Sequence, residues 1–449
     1  MRPLITTRNA RRLLPSGSRV LVATSGGADS QALLHSLAQM QRGLEIELFA
    51  FGVDHGLRDE ASAELELVAA LCEQLGVPFD SVRIEVPNDG NLMEQARRAR
   101  RNALRAHAKS LHIDRIALGH TATDVAETVL MNLARGSALR GAGVMPARRG
   151  RVVRPLLDAT RAEARRYCDA NRIPFADDPT NDDIAYRRPY VRHAVLPALC
   201  ALSGDVERAL VRFAREARTS ERSLQRQAAG FIACHQVQCG PWADAPRALP
   251  IARLRTLDSA ILGRVIRQLL EDAEIPVTQR RVRRVIGGLE HPGFVAHFKN
   301  AVVGVDRGHL FVTHDSNYRV EALHGTRVPP WGARLTRKTL PRNEVQSFPD
   351  GVRGVAFAAE ALHFPLLVRP WAEGDSIRCF GHGGRAKVGD LFTNAKVPRP
   401  LREAWPVMVH GEEIVWVMGL RRSDFAPVTS DTTAAVVVEM DAAPLGVAY

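Results

Sequence analysis

At 449 residues the chain exceeds what one hydrophobic core usually organises, so two or three domains are expected. Its composition, 45% hydrophobic and 24% charged, holds no apolar run near the roughly eighteen residues a span requires, which excludes a membrane-spanning protein. The 61 basic residues outnumber the 49 acidic ones by 12, which points to a polyanionic partner such as nucleic acid or an acidic substrate, because each neutralised phosphate releases counterions.

Only Lys109, Lys299, Lys338, Lys387 and Lys396 are lysines, so genomic base composition competes with phosphate binding as the source of this charge. Cys72, Cys168, Cys200, Cys234, Cys239 and Cys379 are scattered without a CxxC pair, which fits a reducing compartment better than a disulfide framework or a zinc site. Cys234, His235 and Cys239 stand close together, but two cysteines five apart read as ordinary surface or core residues. Residues 1–15 carry Arg2, Arg8, Arg11 and Arg12 without an apolar segment or cleavage site, so no secretory signal is read and a cytoplasmic protein is expected.

Along the chain, β-rich runs alternate with helical patterns. Strands are expected at Arg19–Thr24, Glu45–Val53, Phe79–Val86, Arg115–Gly119 and Arg151–Val153. The βαβα order predicts an α/β class with a doubly wound parallel sheet, whose ligands sit beyond the carboxyl ends of the strands. The first strand runs into Ser25, Gly26, Gly27, Ala28, Asp29 and Ser30, followed by the helical apolar positions Ala32, Leu33, Leu34 and Leu37. Glycines that let the backbone approach an anion, serine hydroxyls and a helix N-terminus together suit a phosphate; a tight turn capped by Ser30 or Asp29 is the plainer alternative. After the second strand come Asp54, His55, Gly56, Leu57 and Arg58. In the next helix Arg97 and Arg100 lie three apart on one face, where they serve either as a solvated basic surface or as phosphate contacts. The fourth strand is followed by Gly119, His120, Thr121, Ala122, Thr123, Asp124, Val125, Ala126, Glu127 and Thr128, in which Asp124 and Glu127 have capping-box spacing.

These strings resemble those of the tRNA(Ile)-lysidine synthase family within the PP-loop ATP pyrophosphatase superfamily, whose loop reads SGGxDS and lacks the P-loop lysine. The resemblance continues through Arg135, Gly136, Ser137, Leu139, Arg140 and Gly141, then Arg154 to Leu157, Asp178 to Asn181, and Arg188 with Arg192. It implies that Ser25, Gly26, Gly27, Ala28, Asp29, Ser30, Asp54, His55, Arg100 and His120 bind ATP. It also implies that Asp29, Asp124 and Arg97 are catalytic and that Asp29, Asp124 and Glu127 hold Mg2+. The chain departs from the family at Thr123, where the pattern has an aspartate, and at Arg101, where it has tyrosine. Magnesium needs few protein carboxylates when phosphate oxygens and water complete its shell, so the remaining acids are expected to suffice, and Thr123→Asp is expected to be tolerated in a solvent-open cleft.

Thr160 and Glu163 frame a second capping box. From about 201 to 290 an arginine-rich helical pattern with Arg264, Arg267, Arg280, Arg281, Arg283 and Arg284 suits a tRNA surface, and a small β hairpin is expected between Phe294 and Val312. Past Pro329 and Pro330, Arg369, Pro370, Trp371, Gly374 and Asp375, then Lys387, Leu391, Phe392, Lys396 to Arg399 and Arg402, resemble the family's C-terminal tRNA-gripping domain; Trp371 and Trp416 are expected in its core. The expected division is 1–200 catalytic, 201–325 mainly helical, and 326–449 C-terminal and α+β or β-rich. The implied reaction adenylates the C2 oxygen of the wobble cytidine of an isoleucine tRNA with a CAU anticodon, after which the ε-amine of L-lysine attacks C2 and displaces AMP. A homodimer is a further option. The rivals are a tRNA thiolation synthetase, which usually carries CxxC pairs, and a tRNA-binding homologue impaired at Thr123.

Overall fold

A computed structural model describes residues 3–54, 61–84, 92–176, 186–238, 247–299, 301–314, 319–328, 332–381 and 383–441. The strings from His55 to Arg58 and from Asp178 to Asn181, together with Val86, Cys239, Pro329 and Pro330, lie outside them. The chain divides into two compact units, Met1–Arg222 and Ser223–Tyr449.

In the first unit α1 (Thr7–Leu13) precedes β1 (Arg19–Thr24), α2 (Ala28–Leu44), β2 (Glu47–Asp54), α3 (Ala61–Leu75), β3 (Phe79–Arg83), α4 (Leu92–Ser110) and β4 (Arg115–Leu118). Then follow α5 (Ala122–Ala134), α6 (Leu139–Ala142), β5 (Arg148–Arg149), β6 (Val152–Val153) and α7 (Arg161–Ala170). The sheet order is β3-β2-β1-β4-β6-β5, parallel except for the β5–β6 hairpin, which the sequence pattern did not suggest. Every β1 residue after Arg19 is buried because helices cover both faces. Side chains alternate across the strand, so Val20 and Val22 pack with Ala32, Leu33 and Leu37 of α2, while Leu21 and Ala23 pack with Leu104 and Ala108 of α4. Each buried valine or leucine among these contributes about 1.5–3 kcal/mol. The second strand starts later than Glu45 because that residue closes α2 in the left-handed conformation (φ 55°).

The order places β2 on one side of β1 and β4 on the other, so the chain leaves β1 and β4 in opposite senses. The crevice at this reversal is where open α/β sheets bind ligands.

After α7 come α8 (Arg187–Tyr190), a π-helical turn (Val191–Val195), α9 (Leu196–Leu202) and α10 (Val206–His235), within which the division between units falls. In the second unit, β7 (Val237–Gln238), β8 (Arg247–Pro250), α11 (Ile251–Leu254), α12 (Ser259–Asp272), α13 (Gln279–Gly288), β9 (Val295–Phe298), β10 (Ala301–Asp306) and β11 (His309–His314) form one layer pair. Its sheet, ordered β7-β8-β11-β10-β9, extends the expected hairpin to five strands, and Val265, Ile266, Val282 and Val303 lie in its core.

The remainder is β-rich. One sheet joins β12 (Val320–Glu321), β16 (Leu366–Pro370), β19 (Pro406–His410), β20 (Glu413–Val417) and β21 (Arg421–Arg422), and another joins β13 (Arg327–Val328), β14 (Ala333–Pro341), β22 (Ala434–Met440) and β15 (Gly354–Ala358). A hairpin of β17 (Ser376–Arg378) and β18 (Arg385–Lys387) leads into α14 (Val388–Asn394) and α15 (Arg399–Arg402). Trp416 is fully buried and its indole N–H donates to the Gly351 carbonyl (2.9 Å); Trp371 packs at the edge of the same core.

Candidate active site

The loop between β1 and α2 is tied by its own side chains. Ser30 Oγ donates to the Gly27 carbonyl (2.9 Å) and accepts from the Ser25 amide (3.2 Å). Gly26 has φ +76°, and a Cβ there would stand 2.8 Å from Glu64 Cβ and its carbonyl oxygen, so only glycine fits. The Gly26 carbonyl accepts from the Ala176 amide (3.0 Å), which pins the loop to the segment after α7. Gly27 is the N-cap of α2 and no side chain caps the helix, whose first-turn dipole therefore faces the crevice. On the facing strand Gly119 lets β4 approach α2: its Cβ would lie 3.0 Å from the Asp29 carbonyl oxygen.

Asp29, in the first turn of α2, receives Nε and Nη2 of Arg161 on Oδ2 at 3.0 and 2.9 Å, while its Oδ1 is buried without a hydrogen-bond partner. Burial pushes its carboxyl up, against the pull of Arg161 and with a further push from Asp124, to about 6. Asp124 is the N3 acid of a capping box whose N-cap is Thr121, with Oδ2 accepting from the Thr121 amide at 2.8 Å. The Asp124–Glu127 spacing is therefore not the box; the cap lies one residue triplet earlier because Thr121 takes the extended conformation. Oδ1 of Asp124 accepts from Arg188 Nη2 (2.7 Å). Burial alone would raise the Asp124 carboxyl, but Arg188, the Thr121 amide and Arg161 outweigh it and hold it below the ordinary range.

Glu127 is wholly buried and divides its two oxygens between Nε of Arg188 and Nε of Arg192 (2.6 Å to the latter). Among the described residues no three His, Cys, Asp or Glu side chains converge as a metal site. Of Asp29, Asp124 and Glu127, Asp29 is the one with a buried oxygen lacking a partner, so a cation fits Asp29 with Asp124 better than it fits Glu127, whose charge two arginines already balance.

Cationic and neutral donors surround the acids. His120, just past β4, is half-buried with its Nδ1 covered and unpartnered, and desolvation, aided by Arg154 and Arg100 against the pull of Asp124, lowers its imidazole to about 4, so it is neutral at physiological pH. Arg154 donates Nη1 to the Pro146 carbonyl (3.0 Å) and leaves a buried Nε unpartnered. Arg100 is half-buried and, among the described residues, pairs with no acid. Arg97 is exposed one turn away and likewise makes no ion pair among the described residues. Asp54, at the end of β2, is buried with Arg83 Nε 3.7 Å away. Unsatisfied buried donors and acceptors of this kind are costly unless a ligand meets them.

Thr123 is not in an open cleft. It is buried, donates Oγ1 to Glu207 Oε1 (2.5 Å) and accepts from the Arg161 amide (3.0 Å). A carboxylate at 123 would meet Glu207 at hydrogen-bond range, and buried like charges repel. Thr123→Asp is therefore expected to lower the melting temperature by several degrees rather than be tolerated, and thermal scans against the wild type check this.

Arg161 and Glu207 carried no signal in the sequence. Arg161 is one of several arginines following a capping threonine, and Glu207 lies far along the chain in another helix. A cavity of about 520 Å³ lined by Asn9, Asp158, Glu163, Arg208 and Arg215 opens beside α7 and α10. Its acids are already paired, Glu163 with Arg208 and Asp158 with Arg215, so the unmet polar atoms at Asp29, His120 and Arg154 mark the reactive region instead.

Residues 4–199 match the PP-loop domain model and residues 366–439 match the TilS substrate C-terminal domain model. The tRNA(Ile)-lysidine synthase of Solibacter usitatus is 30% identical over 421 residues, covering 90% of this chain and 94% of that protein. That of Symbiobacterium thermophilum is 31% identical over 478 residues, covering 97% and 96%. That of Thermotoga maritima is 28% identical over 443 residues, covering 97% of each.

Proposed function

This chain belongs to the tRNA(Ile)-lysidine synthase family, and we propose that it uses ATP to join lysine to C2 of the wobble cytidine of a CAU-anticodon isoleucine tRNA, releasing AMP and pyrophosphate. The observation that carries the reading is the glycine loop and Asp29 at the β1–β4 reversal, with a buried Oδ1 that lacks a partner. The Gly26–Gly27 backbone and the uncapped start of α2 receive phosphate oxygens. Arg100 and Arg154 offer unpartnered positive charge to the phosphates or to the tRNA backbone. Asp29 and Asp124 would hold a magnesium ion, which when bound would draw charge from the phosphates. Arg161 holds one Asp29 oxygen and leaves the other for that ion. His120, neutral at physiological pH, places a ring nitrogen beside the acids without adding charge. Burial around Asp124, His120 and Glu127 keeps bulk water from the reacting groups, and the free ε-amine of lysine completes the ligation.

Placement in the cytoplasm follows from a tRNA substrate and agrees with buried, unbridged Cys72, Cys168 and Cys379; no helix among the described residues is long and apolar enough to cross a membrane. Incubation with ATP, magnesium, labelled lysine and bulk tRNA tests the reading: label should enter one isoleucine tRNA with stoichiometric AMP. Label entry without lysine-dependent AMP, or none at all, would defeat it.

The C-terminal region supports tRNA gripping through its charge. Arg385 and Lys387 on β18 are exposed. Reversing both to glutamate should weaken tRNA binding about tenfold or more at moderate salt, reduce its salt dependence, and leave the KM for ATP unchanged, as filter binding and steady-state kinetics can show.

A further inference from the structure

Two consecutive residues in the first turn of α10 reach the starts of two other helices. Glu207 accepts from Thr123 Oγ1 of α5 at 2.5 Å, a contact spanning 84 residues of sequence, and Arg208 pairs with Glu163 of α7. We propose that Glu207 is a positioning residue of the adenylating site, acting through Thr123 and Arg161 to hold Asp29; this rests on the ligase reading above.

One hydroxyl proton sets the direction of the relay. Thr123 Oγ1 accepts from the Arg161 amide at 3.0 Å, so its single proton is given to Glu207. The Arg161 amide is the first inside α7, one of the donors a helix cannot satisfy from within itself. Glu163, which Arg208 grips, closes the capping box of the same helix through the Thr160 amide (2.9 Å). The start of α7 is thus held from both sides by α10, and from that start Arg161 sends Nε and Nη2 back to a single oxygen of Asp29. A glutamate early in a helix is favoured by the dipole whatever it touches, but that preference needs no threonine partner. Where the family string carries an aspartate at 123, this chain has a hydroxyl and brings a carboxylate to it from α10.

The full-length protein tests this in five variants: Glu207→Leu, Glu207→Gln, Thr123→Val, Thr123→Ser and the Glu207→Leu/Thr123→Val double. Pyrophosphate release with magnesium, ATP, lysine and bulk tRNA gives kcat and the KM for ATP, and melting temperatures are taken alongside. Glu207→Leu and Thr123→Val should each lower kcat about tenfold or more, since small misplacement of a reacting group is costly, with the KM for ATP and the tRNA affinity within about twofold of wild type. Glu207→Gln and Thr123→Ser, which keep the acceptor and the hydroxyl, should recover most of the rate, and the double variant should be no slower than the worse single. Multiplying losses in the double, or losses that follow melting temperature alone, would overturn the proposal. Wild-type protein that releases no pyrophosphate would defeat the ligase reading itself. Amide exchange at Arg161, read by NMR, then decides the relay: faster exchange in Glu207→Leu supports it and unchanged exchange refutes it.

Discussion

Replacement of Asp29 by asparagine is expected to reduce AMP and pyrophosphate release by about a hundredfold or more while tRNA binding stays within twofold of wild type. The change keeps the shape and removes the charge whose Oδ1 lies buried and unpartnered and whose Oδ2 is held by Arg161. Stability should move differently from activity. Burial lifts the Asp29 carboxyl from 3.8 to about 6, so the folded state favours its protonated form. A group whose folded pKa is raised contributes stability at low pH, and that contribution is lost as pH rises through the interval from the unfolded to the folded value. The amide cannot ionise, so the melting temperature of Asp29→Asn relative to wild type should become more favourable between pH 4 and pH 7, by an amount tempered by the partner Arg161 loses. Activity assays and thermal scans across that range check both halves. Equal loss of tRNA binding and AMP formation would remove Asp29 from the chemistry, and a melting difference of the opposite slope would contradict its burial.

The second large effect concerns Glu127. Its carboxylate is fully buried and balances Arg188 and Arg192, themselves mostly covered. Glu127→Gln leaves two guanidinium groups facing one neutral amide. Breaking a buried pair by removing one partner costs about 3–5 kcal/mol, against near zero for an exposed pair. For a unit of this size that corresponds to a fall of roughly 10 °C in its melting transition. Arg188 also holds Asp124, so the remaining activity should fall beyond the loss of folded protein. Calorimetry with the activity of the folded fraction measures both, and a melting temperature within about 2 °C of wild type would show that the arginines find other partners.

Local strings disclosed much of this architecture. The alternation of strand and helix patterns sets the doubly wound sheet, because helices on both faces demand the continuous apolar run of Arg19–Thr24. The Ser25–Ser30 string marks the phosphate loop because only glycine tolerates both the positive φ at Gly26 and the closeness of Glu64. Thr160 with Glu163 declares a helix start three residues long, which is why that capping box could be read directly. Asp124 with Glu127 shares the same spacing and misleads, since the extended Thr121 claims the cap and frees Glu127 for a buried ion pair.

The arrangement that gives the acids their character is not local. Whether Thr123 faces solvent or a carboxylate depends on where the first turn of α10 packs, 84 residues away, and no pattern around either residue encodes the meeting. Arg161, Arg188 and Arg192 are three of many arginines along the chain. Only the packing of α7 against α2, and of α8 and the π-helical turn against α5, selects them to pair with Asp29, Asp124 and Glu127. The sequence by itself determined the strand-to-helix loop, its glycines and the family, because these rest on backbone conformation and on residues adjacent in the chain. The tertiary structure alone decided which acid is left with a buried oxygen unmet, because charge pairing in a low-dielectric interior is set by distance in space.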